Sequence, residues 1–325
     1  LTQDAMSITS VKIGNVWKTL DANITTWNDI WSYRDETTGS DATESSKKVW
    51  RKHKTFAWKE GLTPEGAYST TLTKDNTQFN WGLGTPVSDK WQKLSEITRY
   101  TRWSMPIETK DINGNFASTK MADNDTKVLV SGNARYTEMY FSGAEYVKNG
   151  NLFDGEVKGA SFKSDDAAHT GKYAVKAENI TDKVFEVTGD TGSADYYNEG
   201  SYTSTFRPGK YKISVWGLEE GNPIQNAKLT VNGIEINVSE TVKAGCWRQL
   251  NYYFDLPINS SNNISITAKS INGKNYFDDF RMCPIASNMN SYVYDSNTDE
   301  LSYTLDANNM GSAFKYDNAG RLVAN

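Results

Sequence analysis

Residues 276–282 read Tyr276-Phe277-Asp278-Asp279-Phe280-Arg281-Met282, with two adjacent carboxylates set among aromatic and aliphatic side chains. On a strand's period of two, Tyr276, Asp278, Phe280 and Met282 share one face, while Phe277, Asp279 and Arg281 share the other. Asp278 is then expected on the apolar face, where an ionised, unpaired carboxylate is costly or shifts its pKa. It needs a cation, a hydrogen-bond network or a wet strand edge, and of these the cation is the favoured expectation. On opposite faces, Asp278 and Asp279 cannot work together as the acid and nucleophile of a glycosidase, which need carboxyl groups about 5–9 Å apart across one sugar.

The same alternation extends upstream. Tyr211-Lys212-Ile213-Ser214-Val215-Trp216 reads as one strand, and Leu229-Thr230-Val231 runs through Asn232-Gly233 into Ile234-Glu235-Ile236. Asn-Gly between alternating runs signals a two-residue hairpin, which places Val231 opposite Ile234 and Leu229 opposite Ile236. Leu250, Tyr252, Phe254 and Leu256 continue the pattern, and Ile264, Ile266 and Ala268 lead towards a second Asn-Gly at Asn272 and Gly273. Short strands at near-regular spacing predict a two-sheet sandwich. Trp216 and Tyr253 fall on the parity opposite to the inward sets. They are the candidates for stacking on a sugar, or else for covering the second sheet or docking a flanking segment.

Aromatic residues make up 12% of the chain, and Thr, Ser and turn residues are frequent, a composition of β type. An apolar share of 37% and a mean hydropathy of −0.65 imply much polar surface. No run approaches the roughly 18 apolar residues of a membrane span. A net charge of −5 gives no electrostatic reason to expect nucleic acid as a partner. The spacing of Cys246 and Cys283 leaves their pairing open. No Gly-x-Ser-x-Gly elbow, phosphate-cradling loop or His/Cys metal cluster occurs, and the expectation is a protein that is not an enzyme.

Seven of the ten tryptophans precede residue 95. Within that region Val49–Lys59 alternates as a half-buried strand, Trp50, Phe56 and Trp58 against Arg51, His53 and Thr55. Its lysines are expected to guard a sheet edge against further pairing. Ser88–Ile97 offers a helix start, but its continuation into Thr98-Arg99-Tyr100 favours a strand. Laid on itself, the chain shows an echo. Asp111-Ile112-Asn113-Gly114 is followed nine residues after the Asp by Lys120, and Asp306-Ala307-Asn308-Asn309 likewise by Lys315. A different kind of sequence lies between the copies, as if inserted into a repeat array.

Two resemblances follow from these motifs. Tyr316-Asp317-Asn318-Ala319-Gly320-Arg321-Leu322 resembles the Tyr-Asp-x-x-Gly-Arg-Leu signature of RHS/YD-repeat proteins, whose hairpins coil into a β-shell around a C-terminal passenger. Tyr294-Asp295-Ser296-Asn297-Thr298-Asp299-Glu300-Leu301 departs from it by one extra residue and no Gly. Asp306-Ala307-Asn308-Asn309 departs from it with Asn in place of Gly. The order Phe141-Ser142-Gly143-Ala144-Glu145, Ala168 to Val175, Phe206-Arg207-Pro208-Gly209-Lys210-Tyr211 and Tyr276 to Met282 resembles the galactose-binding-like jelly roll shared by carbohydrate-binding modules. That resemblance implies a structural Ca²⁺ held by Glu145, backbone oxygens around His169 to Lys172, and Asp278, an oxygen set that suits calcium.

The resulting expectation is an all-β chain, a jelly-roll sandwich at 139–285 flanked by YD-repeat-like hairpins. A Trp-rich β region spans 1–138, with a repeat-like stretch at about 97–130, and an array begins at 286–325. By resemblance it is a non-enzymatic internal piece of a large exported bacterial protein, exported through a type IX route. Its role would be a cell-surface scaffold or adhesin, or the shell of a downstream effector. Carbohydrate, cell-surface components and the secretion machinery are the implied partners. The alternatives are a carbohydrate-binding module and an accessory domain of a secreted hydrolase.

Overall fold

In the computed structural model the described residues are 5–29, 31–34, 41–43, 49–60, 72–73, 76–123, 125–145, 147–148, 151–152, 157–159, 163–164, 166–177, 182–191, 205–219, 223–258, 260–268 and 275–324. Asn272 and Gly273 lie outside them. The fold is all-β, and the chain divides into two compact units, 1–33 with 42–116, and 34–41 with 117–325.

The first unit is an antiparallel meander of Ala5–Ile13, Val16–Asn28, Arg51–Trp58, Trp91–Tyr100 and Pro106–Asp111, paired in chain order. Its core packs Ile24, Phe56, Trp58, Phe79 and Trp91, with the Trp58 and Trp91 rings edge-on at 5.1 Å. Trp91–Tyr100 is a strand, as its tail suggested. Arg51–Trp58 is not an edge strand, since it pairs on both sides. Its charges are absorbed locally. Lys54 and Lys93 converge on Glu96 at 3.7 and 2.5 Å, and buried Arg51 donates to Ser104 Oγ at 2.9 Å.

The second unit contains the sandwich. One sheet orders Lys163–Ser164, Ala174–Ala177, Asn275–Pro284, Gly209–Leu218, Trp247–Leu256 and Glu240–Ala244, and Tyr140–Ser142 also pairs with Asn275–Pro284. The other orders Lys158–Gly159, Asp182–Thr191, Ser260–Ala268, Ala227–Val231 and Ile234–Ile236. The Asn232-Gly233 hairpin has the register read from sequence, Val231 opposite Ile234 and Leu229 opposite Ile236, with both turn residues at positive φ. Tyr211, Ile213, Val215, Leu250, Tyr252 and Phe254 meet Phe185, Ile264, Ile266 and Leu229 in one core. Cys246 and Cys283 are free thiols.

A further antiparallel run of strands flanks the sandwich in sequence. Phe116–Ala122, Lys127–Gly132, Met289–Tyr294, Leu301–Leu305 and Gly311–Ala313 run antiparallel. Val130 lies opposite Ser291 and Gly132 opposite Met289, so the strands before and after the sandwich are direct neighbours. Asn133 N–H donates to Asn288 O at 3.2 Å, and Asn288 N–H to Asn133 Oδ1 at 2.6 Å, closing the junction.

Candidate functional site

The organising stretch is the central strand of its sheet, and its alternation is broken. Ser214 lies opposite Arg281 and Trp216 opposite Asp278, so Val215 alone faces both Asp279 and Phe280. Asp279 takes φ +47, the left-handed residue of a β-bulge. The consequence corrects the parity expected from sequence. Phe277, Phe280 and Met282 all enter the core, and Asp278 turns outward beside Trp216, since directly opposed residues share a face. The two carboxylates are therefore not separated by the sheet, and both reach one loop.

That loop is Asp166–Tyr173. Asp278 Oδ2 accepts from His169 N–H at 2.8 Å and Thr170 N–H at 3.2 Å, and Asp278 Oδ1 accepts from Asp279 N–H at 2.7 Å. Asp279 binds the side chains instead, His169 Nδ1 at 2.6 Å and Thr170 Oγ1 at 2.7 Å. Glu145 Oε1 accepts from Lys172 and Tyr173 N–H at 2.7 and 2.9 Å. Gly171, at φ +63, faces Glu145 so closely that a Cβ would overlap the carboxylate. Burial, and then the neighbouring Asp279, hold the Asp278 carboxyl well above the usual aspartate range.

The residues named for calcium thus meet on one loop, but the loop offers amides to Asp278 and Glu145. This is the hydrogen-bonded resolution of the buried carboxylate. The side chain of Lys172 lies over the Tyr173 ring at 5.2 Å. Among the described residues no group of three or more His, Cys, Asp or Glu side chains is arranged to hold a metal ion. A hard divalent cation takes oxygen ligands, and the oxygens of Asp278 and Glu145 here accept loop amides.

On the outward face, register builds three rows. Trp216 lies between Gln249 and Asp278, Ser214 between Asn251 and Arg281, and Lys212 between Tyr253 and Cys283. Trp216, expected to project towards a ligand, is fully buried. His169 stacks on its face at 4.0 Å, and its Nε1–H donates to Asn309 O at 2.9 Å. The covering segment is the turn Asp306-Ala307-Asn308-Asn309-Met310. Gln249 Nε2 donates to Asn308 O at 2.8 Å, and Asn309 Nδ2 donates to Ser214 Oγ at 3.0 Å and Asp279 O at 2.9 Å. Arg281 donates to Asp306 O and, at 3.0 Å, to Ser291 Oγ. Burial brings the Arg281 guanidinium down to about 10. Trp216 is therefore a docking residue.

Tyr253 is not covered in this way. It is half-buried, donates its hydroxyl to Glu240 Oε2 at 3.0 Å and has Lys212 Nζ 5.9 Å from its ring centre. Burial first, and then Glu240, raise its phenol above the usual range. Sequence reasoning missed Asn309, Gln249, Arg281 and the buried role of Asp279. Only Asn309 left a signal, as an Asn where the echoing turns carry Gly.

No protein-family model matches the chain, and no curated protein matches it. Among solved structures, the CBM22-1 xylan-binding domain from Paenibacillus barcinonensis Xyn10C is similar over 46% of this chain and 94% of that one, at 18% identity and a TM-score of 0.27.

Proposed function

We propose that the chain is a non-catalytic carbohydrate-binding module of an exported protein. The observation that carries this reading is the outward row of Lys212, Tyr253, Asn251 and Gln249. There a half-buried aromatic ring lies on the sheet two residues along the strand from Asn251, whose Nδ2 donates to Gln249 Oε1 at 3.0 Å; both amides are buried beneath the 306–310 turn. A pyranose ring needs such a set, an aromatic surface for its C–H face and fixed polar groups for its hydroxyls. The adjacent carboxylates of Asp278 and Asp279 are hydrogen-bonded to His169 and Thr170 of the loop. Tyr253→Ala should abolish retardation of the protein in polysaccharide affinity gels while leaving its melting temperature within a few degrees of wild type. Retention of binding by this variant would sink the assignment of Tyr253. Calcium belongs to the same reading, with Glu145 and Asp278 as its side-chain ligands and the loop oxygens between them completing the shell.

A second reading, a surface scaffold or adhesin of RHS/YD-repeat type, is favoured by the turns. In each of Asp111–Asn115, Asp306–Met310 and Asp317–Arg321 the Asp Oδ1 accepts from the amides two and four residues on, and the fourth residue has positive φ. Under this reading the secretion machinery and cell-surface components are partners. Protease added to intact cells should remove the chain, and its survival until lysis would count against surface exposure.

A further inference from the structure

The contact between the 306–310 turn and the sandwich is polar and incompletely satisfied. Trp216, Ser214, Gln249, Asn251, Arg281 and Asn309 are all at least nine-tenths buried. Yet among the described residues Asn251 Oδ1, Asn309 Oδ1 and Arg281 Nε have no hydrogen-bond partner. The three gather around one residue, since Ser214 lies opposite both Asn251 and Arg281 and accepts from Asn309. The amide orientations are fixed by what they already bind. Reversing Asn309 would set its oxygen against Asp279 O, and reversing Asn251 would set its oxygen against Gln249 Oε1. Native cores seldom leave buried polar atoms unmatched, and each such group asks for an explanation.

The occupant itself suggests one. The turn meets the sandwich chiefly through carbonyl oxygens, Asn308 O on Gln249 and Asn309 O on Trp216. Those are acceptors placed where hydroxyl oxygens of a ligand would sit, but a carbonyl cannot also donate. Within the patch itself one amide oxygen, Asn251 Oδ1, is left wanting a donor, and one guanidinium N–H, Arg281 Nε, is left wanting an acceptor. A hydroxyl does both. From this we infer that the Ser214–Gln249–Asn251–Arg281 patch is a binding site for a polyhydroxylated ligand, a neutral saccharide unit, and that the 306–310 turn occupies it as an intramolecular pseudo-ligand. The site adjoins Tyr253, two residues along the strand from Asn251, so a bound chain would run from the half-buried ring into the patch. The inference rests on the carbohydrate-binding reading and adds its regulation: the turn must leave before the patch is filled.

Asn309 is the key to the latch. Its φ of +64 is tolerated by Asn and preferred by Gly, and the two echoing turns carry Gly114 and Gly320 at that place, both also at positive φ. Asn309→Gly therefore keeps the turn and removes only the two donors that hold it to Ser214 and Asp279. The experiment uses the full chain in native affinity gels containing soluble xylan, β-glucan or galactomannan, with amide hydrogen exchange of residues 306–313 measured alongside. Asn309→Gly should speed exchange in the turn and tighten retardation by about fivefold or more, the lower end of ordinary coupling between sites. Tyr253→Ala should abolish retardation in both backgrounds.

If wild type and Asn309→Gly are retarded equally and Tyr253→Ala abolishes both, the carbohydrate reading stands and the latch is overturned, with the unmatched atoms served by bridging solvent. If exchange in the turn is unchanged by Asn309→Gly, Asn309 is not the key and the latch is overturned again. If the turn is released and none of the three polysaccharides retards either protein, the carbohydrate reading falls and takes the latch with it.

Discussion

At the scale of single residues, the molecule turns on where one carboxylate points. Asp278 was legible as a problem, because a carboxylate among Tyr276, Phe277 and Phe280 needs a partner. Its direction was not legible, because strict alternation fails at Asp279, and nothing in an Asp-Asp pair announces a bulge. The left-handed φ at Asp279 moves Phe277 into the core and sends both acids to the loop. Two measurements test the outcome. If Glu145 and Asp278 hold calcium, a hundredfold excess over the dissociation constant stabilises the fold by about 2.7 kcal/mol, an increment that chelation removes and Asp278→Asn abolishes. A melt indifferent to both calcium and chelator would leave the amides as the whole answer. Trp216 offers the second test. Its fully buried ring lies between His169 and Asn309, so Trp216→Ala should cost about 3–5 kcal/mol in denaturant unfolding, as large aromatic truncations in cores do. A cost below about 1 kcal/mol would return Trp216 to the surface role expected from parity.

At the scale of elements, the recurring turn explains why the sequence echo was readable and where it stops. An Asp that caps two amides, followed by a residue able to take positive φ, is a local device, so its signal survives in a short motif. The nine-residue spacing to Lys120 and Lys315 carries no such physics. Lys120 is buried against the rings of Tyr136 and Tyr140 at 4.6 and 4.2 Å, whereas Lys315 is exposed. The Asp295 turn, one residue longer, keeps the device by moving the positive φ to Asp299. Hydrogen bonds to their carboxylates hold Asp111 and Asp317 below the usual aspartate range, the amides of Asn115 and Arg321 leading. Because the folded value is depressed, the stability these groups lend is present above the unfolded pKa and is lost as pH falls through the folded one. In an NMR titration the Asn115 and Arg321 amides should therefore shift only below the ordinary aspartate midpoint of about 3.9. Midpoints at or above that value would mean that the caps are not formed in solution.

At the scale of the whole molecule, the sandwich and the sheet that brackets it share one boundary. The resemblance of motifs implied an inserted jelly roll, and composition alone implied only β structure. What no local pattern encodes is the long-range pairing of Lys127–Gly132 with Met289–Tyr294, which depends on the sandwich bringing its two ends together. Gly132 shows how tight that closure is, since a Cβ there would lie 2.6 Å from Asn288 O and 2.5 Å from Met139 Sδ. Domain insertion is tolerated where termini are neighbours, so the bracketing sheet should be separable from the sandwich. Excising residues 140–284 and joining the ends with a short Gly-Ser linker should leave a remainder that still unfolds cooperatively. It should do so at a lower temperature, because Phe141 and Cys283 leave the cluster formed with Leu129, Val130, Met289 and Leu305. Replacing Gly132 with Ala in that remainder should then abolish cooperativity, since the clash with Asn288 O lies within the pairing that survives. If the excised protein shows no cooperative transition at any temperature, the sandwich is the scaffold on which the outer strands fold, and the order of dependence runs the other way.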